Sequence, residues 1–188
     1  MIKLEIISAI CLGIASIGFI LLPFCIEKRL SDAYESLQEI DDSIYRALDQ
    51  WNQSNFHASQ AYINRSSTFI LDQLNADHKK INKVSEAILQ EWRIACTHSI
   101  NANMAIGAID TPDISILDTI STPEDFSRIY LQCMTIFSEG NKKLVENGKL
   151  LKLKINKYRR WKNTTWSICL FFNSIGIIVG ILVIARTN

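Results

Sequence analysis

Arg93 and His98 are the side chains whose types and spacing come nearest to chemistry in this sequence. In the stretch RIACTH a permanent cation stands five positions before an imidazole. A guanidinium can grip the anionic oxygens of a phosphodiester, and an imidazole near neutral pH can take or give a proton. On a helix, however, five residues are about 140° of rotation, so the two groups leave on different faces. Metal chemistry has less support. His57, His78 and His98 lie far apart, and none has a second His, Cys or carboxylate three or four positions away, the spacing at which a helix presents two ligands to one ion. There is no glycine-rich phosphate loop, no nucleophile elbow and no identifiable pair of inward carboxylates. The sequence therefore predicts no catalytic residue, no metal and no cofactor.

The clearest pattern is electrostatic. KLLKLKINKYRRWKNTTW, from Lys149 to Trp166, carries Lys149, Lys152, Lys154, Lys157, Arg159, Arg160 and Lys162 without an acid, the last acid before it being Glu146. Clustered cations attract phosphate, whether it belongs to a lipid headgroup or to a nucleic acid. The whole chain does not share this bias, since 20 Lys and Arg against 19 Asp and Glu leave a net charge of +1 over 188 residues. Behind the cluster comes TTWSICLFFNSIGIIVGILVIA, residues 164–185, with no charge. As a helix it is about 33 Å long, enough for a hydrocarbon core about 30 Å thick.

A second apolar run, LEIISAICLGIASIGFILLPFCI at 4–26, is closed by Glu27, Lys28 and Arg29. It is longer than the apolar region of a secretory signal and no small-residue cleavage site follows, so it is expected to remain as an anchor. Lys and Arg near the ends of spans are retained on the cytoplasmic side. Lys28, Arg29 and the seven clustered cations stand on the inner flanks, with only Lys3 and Arg186 outside them. The expected layout is an all-α, two-pass protein of a bacterial inner membrane. Residues 1–26 form the first transmembrane helix, 27–162 a helical cytoplasmic domain ending in the basic segment, and 163–188 the second transmembrane helix with a short outer tail. Both termini face out, and Cys11, Cys25 and Cys169 fall in the spans, where Cys behaves as a small hydrophobe.

Within the spans, Gly176 and Gly180 make a GxxxG, and Ala9 with Gly13 a second small-residue pair. Such surfaces let helix backbones approach closely in lipid, so self-association of the spans is expected. Asn173 stands near mid-depth, where an amide needs another helix or water, and is assigned to pairing or gating. Glu5 and Arg186 reach the same outer boundary of an antiparallel hairpin and are placed to pair.

The middle of the chain must hold these features in place, and its apolar spacing is helical. Leu30, Leu37, Ile40, Ile44, Leu48 and Trp51 recur three, four or seven apart, extending the first span into the cytoplasm. The run WNQSNFHASQ loosens the pattern, and a turn is placed near 75–78. Thr111-Pro112-Asp113 and Thr122-Pro123-Glu124-Asp125 set a hydroxyl before a proline and acids after it, which predicts helix starts at Pro112 and Pro123. Tyr34, Tyr45, Trp51, Phe56, Tyr62, Phe69, Trp92, Phe126, Tyr130 and Phe137 are the aromatic candidates for the core.

Two family resemblances rest on these residues. The Arg93-x4-His98 spacing is similar to the motif of helical HEPN-type ribonucleases and implies a membrane-tethered nuclease with His98 as general acid or base, although Ile94 stands where that motif usually has a polar residue. The layout of the whole chain resembles the two-transmembrane effectors encoded with bacterial retron reverse transcriptases in anti-phage defence. That resemblance is one of architecture, not motif. It implies a non-enzymatic effector of abortive infection, restrained by a reverse transcriptase with its RNA–DNA hybrid until infection, whose spans then assemble and depolarise the membrane. The alternative is a membrane-anchored adaptor or sensor that recruits a cytoplasmic partner.

Overall fold

The computed structural model describes residues 2–74 and 77–187 of the chain. The fold is 92% helix, with no strand among the described residues. In chain order it comprises α1 (Ile2–Leu21), a π-helical turn (Leu22–Glu27), α2 (Lys28–Gln73), α3 (His78–Ala105), a 3-10 turn (Ile114–Asp118) and α4 (Pro123–Thr187). Two compact units divide the chain. One combines the stretch ending at Gln38 with the stretch beginning at Lys149, and the other is Glu39–Gly148. Both α2 and α4 contribute to each.

The first unit is an antiparallel hairpin. Ser8 meets Gly176, Phe19 meets Trp166 edge-on at 5.3 Å, and Lys162 Nζ lies 2.7 Å from Glu27. Ser8, Cys11, Ala15 and Leu22 are buried, with Gly18 half-buried among them, so the seam advances in alternating steps of three and four. Past Leu22 the sheltered positions are Ile26, Leu30, Ala33 and Leu37, which adds one residue to the repeat. The π-turn sits at that point. Its wider turn absorbs the extra residue and returns the same face to the partner helix. Pro23 lies inside it and lacks the N–H that an α-turn would give to the carbonyl of Phe19. The facing seam on α4 runs through Leu151, Ile155, Tyr158, Lys162, Thr165, Cys169, Phe172 and Gly176, again in steps of four and three.

The second unit has an aromatic core. Trp92, Phe126, Ile100, Ile88 and Leu117 pack with Ala58, Ala61, Ala95, Cys96 and Cys133. Ala47, Ala102, Ile106 and Phe137 form a smaller cluster beside Trp51, whose ring stacks on Phe137 at 4.7 Å and on Tyr130 at 5.8 Å. The run WNQSNFHASQ stays α-helical, because Ser54 and Ala58 within it are buried and the Ser54 hydroxyl donates to the carbonyl of Ala95. Small residues on this face of α2 bring α3 close. The large ones are displaced to the other side, so Tyr45, Phe56, Tyr62 and Phe69 are exposed, as is Tyr34 in the hairpin, and five of the expected core aromatics lie at the surface.

The helix ends follow local chemistry. Asp77 caps α3 by accepting from the amide of Lys79, at the turn expected near 75–78, of which residues 75 and 76 lie outside the described ones. Gly107 takes φ +68° after α3, and the amides of Gly107 and Ala108 close back on Met104 and Asn103, a glycine-dependent helix stop. Pro123 begins α4 as expected, with the Thr122 hydroxyl accepting from the Asp125 amide at 3.2 Å. Pro112 does not begin a helix. Thr111 instead donates back to the Ala108 carbonyl, and Asp113 caps a single 3-10 turn by taking the Ser115 amide, so the predicted helix shrinks to five residues. That bond also holds the Asp113 carboxyl below its usual range.

Candidate functional site

The hairpin reverses the usual placement of side chains. In the most apolar 18 residues of its two helices, 18% and 11% are buried. The helix of a soluble core would be mostly buried. Ile6, Ile10, Ile17, Ile20 and Phe24 on one helix and Phe171, Ile178, Ile181 and Ile184 on the other point outward. Both helices are long and apolar enough to cross a membrane.

The seam between them is built from small residues. Ser8 Oγ donates to the carbonyl of Gly176 at 2.8 Å. A methyl group on Gly176 would sit 2.8 Å from Leu12 Cγ, one on Gly180 3.4 Å from Ser8 Oγ, and one on Gly18 would run into the Cys169 thiol. Gly176 therefore faces Leu12, and Gly180 faces Ser8, of the same chain. Ala9 and Gly13 stand one position off this seam. Both are exposed, and a side chain at Gly13 would meet nothing within 4 Å. Asn173 is half-buried, and among the described residues no ion pair joins Glu5 to Arg186. Sequence reasoning missed Ser8, Gly18 and Cys169. Their signal was the three-four spacing of Ser8, Cys11, Ala15, Gly18 and Leu22, which the search for small pairs four apart overlooked.

The basic cluster divides into distinct roles. Arg159 donates to the Tyr34 hydroxyl and Lys162 pairs with Glu27, so both act within the hairpin. Lys154 borders a groove with Arg29, Asp32 and Tyr158. Lys157 lies over the Trp161 ring at 4.9 Å, and with Arg160, Asn156 and Leu153 these residues line a shallow groove of about 380 Å³. Lys149 and Lys152 are exposed.

The helical unit holds a polar cluster that the sequence did not announce. His57 Nδ1 lies 2.6 Å from Glu91 Oε2, His98 Nδ1 lies 2.8 Å from Gln50 Oε1, and the two imidazoles stack at 5.8 Å. Burial pushes the His98 pKa below its ordinary value, the neighbouring His57 adds to this, and Asp49 opposes it. Arg93 turns elsewhere, to Asp118 at 3.1 Å, so the structure does not bring Arg93 and His98 together. Burial beside Cys133 pushes the Cys96 thiol up to about 12, and burial raises Cys133 as well. Both are buried thiols, without the thiolate a nucleophile requires. Among the described residues no three His, Cys, Asp or Glu side chains are grouped to hold a metal.

Comparison with protein-family models, with curated proteins and with solved structures gives no match for this chain.

Proposed function

We propose that the chain is a two-pass bacterial inner-membrane effector that acts on the membrane itself, with residues 4–26 and 164–185 spanning it and the helical domain in the cytoplasm. The observation that carries this reading is the reversed hairpin, with small residues inside and large apolar residues outside. In water that surface is costly, and in hydrocarbon it is the favourable one. Arg160, Lys157 and Trp161 then lie just inside the span that begins at residue 164, at the depth where cations and Trp meet headgroups.

Under this reading a cytoplasmic partner restrains the helical domain, and its release lets hairpins assemble and make the membrane leaky. The architectural resemblance assigns that partner as a reverse transcriptase with its RNA–DNA hybrid. The exposed Ala9 and Gly13 supply a free small-residue surface for contact between hairpins. A potential-sensitive dye tests the reading. Induction should depolarise cells promptly, and an Asn173→Leu/Gly176→Leu/Gly180→Leu chain should not. Depolarisation unchanged in the variant removes the mechanism.

One observation favours a second reading, a membrane-anchored adaptor that recruits a partner without permeabilising anything. The hairpin seam is already closed within one chain by Ser8 and Leu12 on Gly176, and needs no second hairpin to be complete. A membrane potential unchanged by induction of the natural chain would select it.

A further inference from the structure

The outward face of α2 in the helical unit has the wrong chemistry for water. Phe56, Ile63 and Ile70 recur seven apart, Tyr62 and Phe69 recur seven apart beside them, and Leu74 ends the row, all of them exposed, from 50% at Tyr62 to 72% at Leu74. Seven residues bring a helix back to within about 20° of the same direction, so these side chains form one continuous strip. Their bare area is on the order of 800 Å², above the few hundred Å² that a monomer usually leaves exposed and equal to one partner's share of a standard interface.

Two independent features mark the strip as an interface. The first is its charge. Between Phe56 and Leu74 only Arg65 and Asp72 are Asp, Glu, Lys or Arg, two of 19 positions against 21% for the whole chain, and Arg65 pairs with Glu124 at 3.3 Å. The second is its hydrogen bonding. Ser59 and Ser66 lie along the middle of the strip, seven apart, with Ser67 at its edge. Their hydroxyls donate to the carbonyls of Asn55, Tyr62 and Ile63 one turn back. Covering these serines therefore strands none of their hydroxyl donors, which removes the main cost of burying serine.

We propose that this face of α2, from Phe56 to Leu74, is the site at which a second copy of the chain docks, helix against helix, through the helical unit. A second copy fits for three reasons found in the strip itself. A heptad row with small serines between large apolar residues is complementary to itself. The scarcity of charge leaves little like-charge repulsion when two such faces meet, and offers little for an acidic or basic partner to recognise. Two such strips together bury the area of a stable dimer. This inference is independent of whether the hairpin permeabilises the membrane.

The test uses the full-length chain in lipid nanodiscs. Light scattering should give twice the chain mass for the natural protein, and a Phe56→Glu/Ile63→Glu/Ile70→Glu chain should fall to the single mass with its helical circular dichroism retained. Because all three positions are exposed, the substitutions disturb no core contact. Should the triple variant misfold, oxidation in native membranes decides. An Ile63→Cys chain should cross-link to a dimer above the level of the natural chain, and a Lys142→Cys chain should not. A single mass for the natural chain overturns the proposal, as does a monomer carrying a different protein. So does a dimer that survives the three glutamates, or cross-linking no stronger at residue 63 than at 142.

Discussion

The hairpin and the helical unit use the same three-four spacing and fill it in opposite ways. In the hairpin's apolar stretches Ser8, Cys11, Ala15, Gly18, Cys169 and Gly176 make up most of the seam, with Leu22 and Phe172 its larger members, and most Ile, Leu and Phe point out. In the helical unit, Trp92, Phe126, Phe137 and Ile100 are inside, and most outward positions are polar. In water, burying a large apolar side chain contributes about 1.5–3 kcal/mol, so large residues go inside. Where the surroundings are as apolar as the residue, nothing is gained by hiding it, and close backbone contact between small residues provides the attraction. With the hairpin in a membrane, as proposed, one repeat reports two solvents. The strip on α2 is the exception, a patch of the helical unit whose outward face is apolar and poor in charge, with its serine hydroxyls already bonded to the helix backbone.

The contrast can be broken most forcefully at Trp92. A Trp92→Ala change should cost the helical unit about 3–5 kcal/mol, the usual range for removing a buried aromatic, read as a lower denaturation midpoint by circular dichroism while the hairpin stays in the membrane. Within the hairpin the sign of the size rule reverses. Gly176→Leu should weaken helix pairing by about 1–3 kcal/mol through overpacking against Leu12, and Gly13→Leu should leave it unchanged. Unfolding in increasing sodium dodecyl sulfate measures both, and equal loss from the two would refute the seam. Removing one interhelical hydrogen bond with Ser8→Ala should cost about 0.6 kcal/mol by the same measurement.

The smallest effect is in pH. His98 has its pKa lowered in the fold by burial and by His57, with Asp49 opposing and Glu91 facing His57. The unfolded chain therefore binds that proton more readily. The stability involved is complete above the ordinary value of 6.5 and is lost as pH falls through the lower folded value. The thermal midpoint of the helical unit should drop below pH 6.5, and a His98→Gln chain should show a shallower slope there. Identical slopes would show that His98 is not the titrating group.

Much of this was legible in the sequence. Two long apolar runs and the proline-marked start of α4 are local signals, and local signals survive folding. The 3-10 turn after Pro112 was misread because Thr111 and Asp113 offer equivalent cap oxygens, and the choice depended on the Ala108 carbonyl lying within reach of Thr111. The aromatic count overstated the core because α2 carries apolar residues on two faces, and only the position of α3 says which face is inside. The stacked His57 and His98 were invisible for the same reason, lying on different helices far apart in the chain.

The central claim is that the hairpin's outward apolar surface is covered by lipid. Extraction of the membrane fraction with alkaline carbonate tests it most directly. The chain should remain wholly in the membrane pellet, and its release into the supernatant would contradict the account.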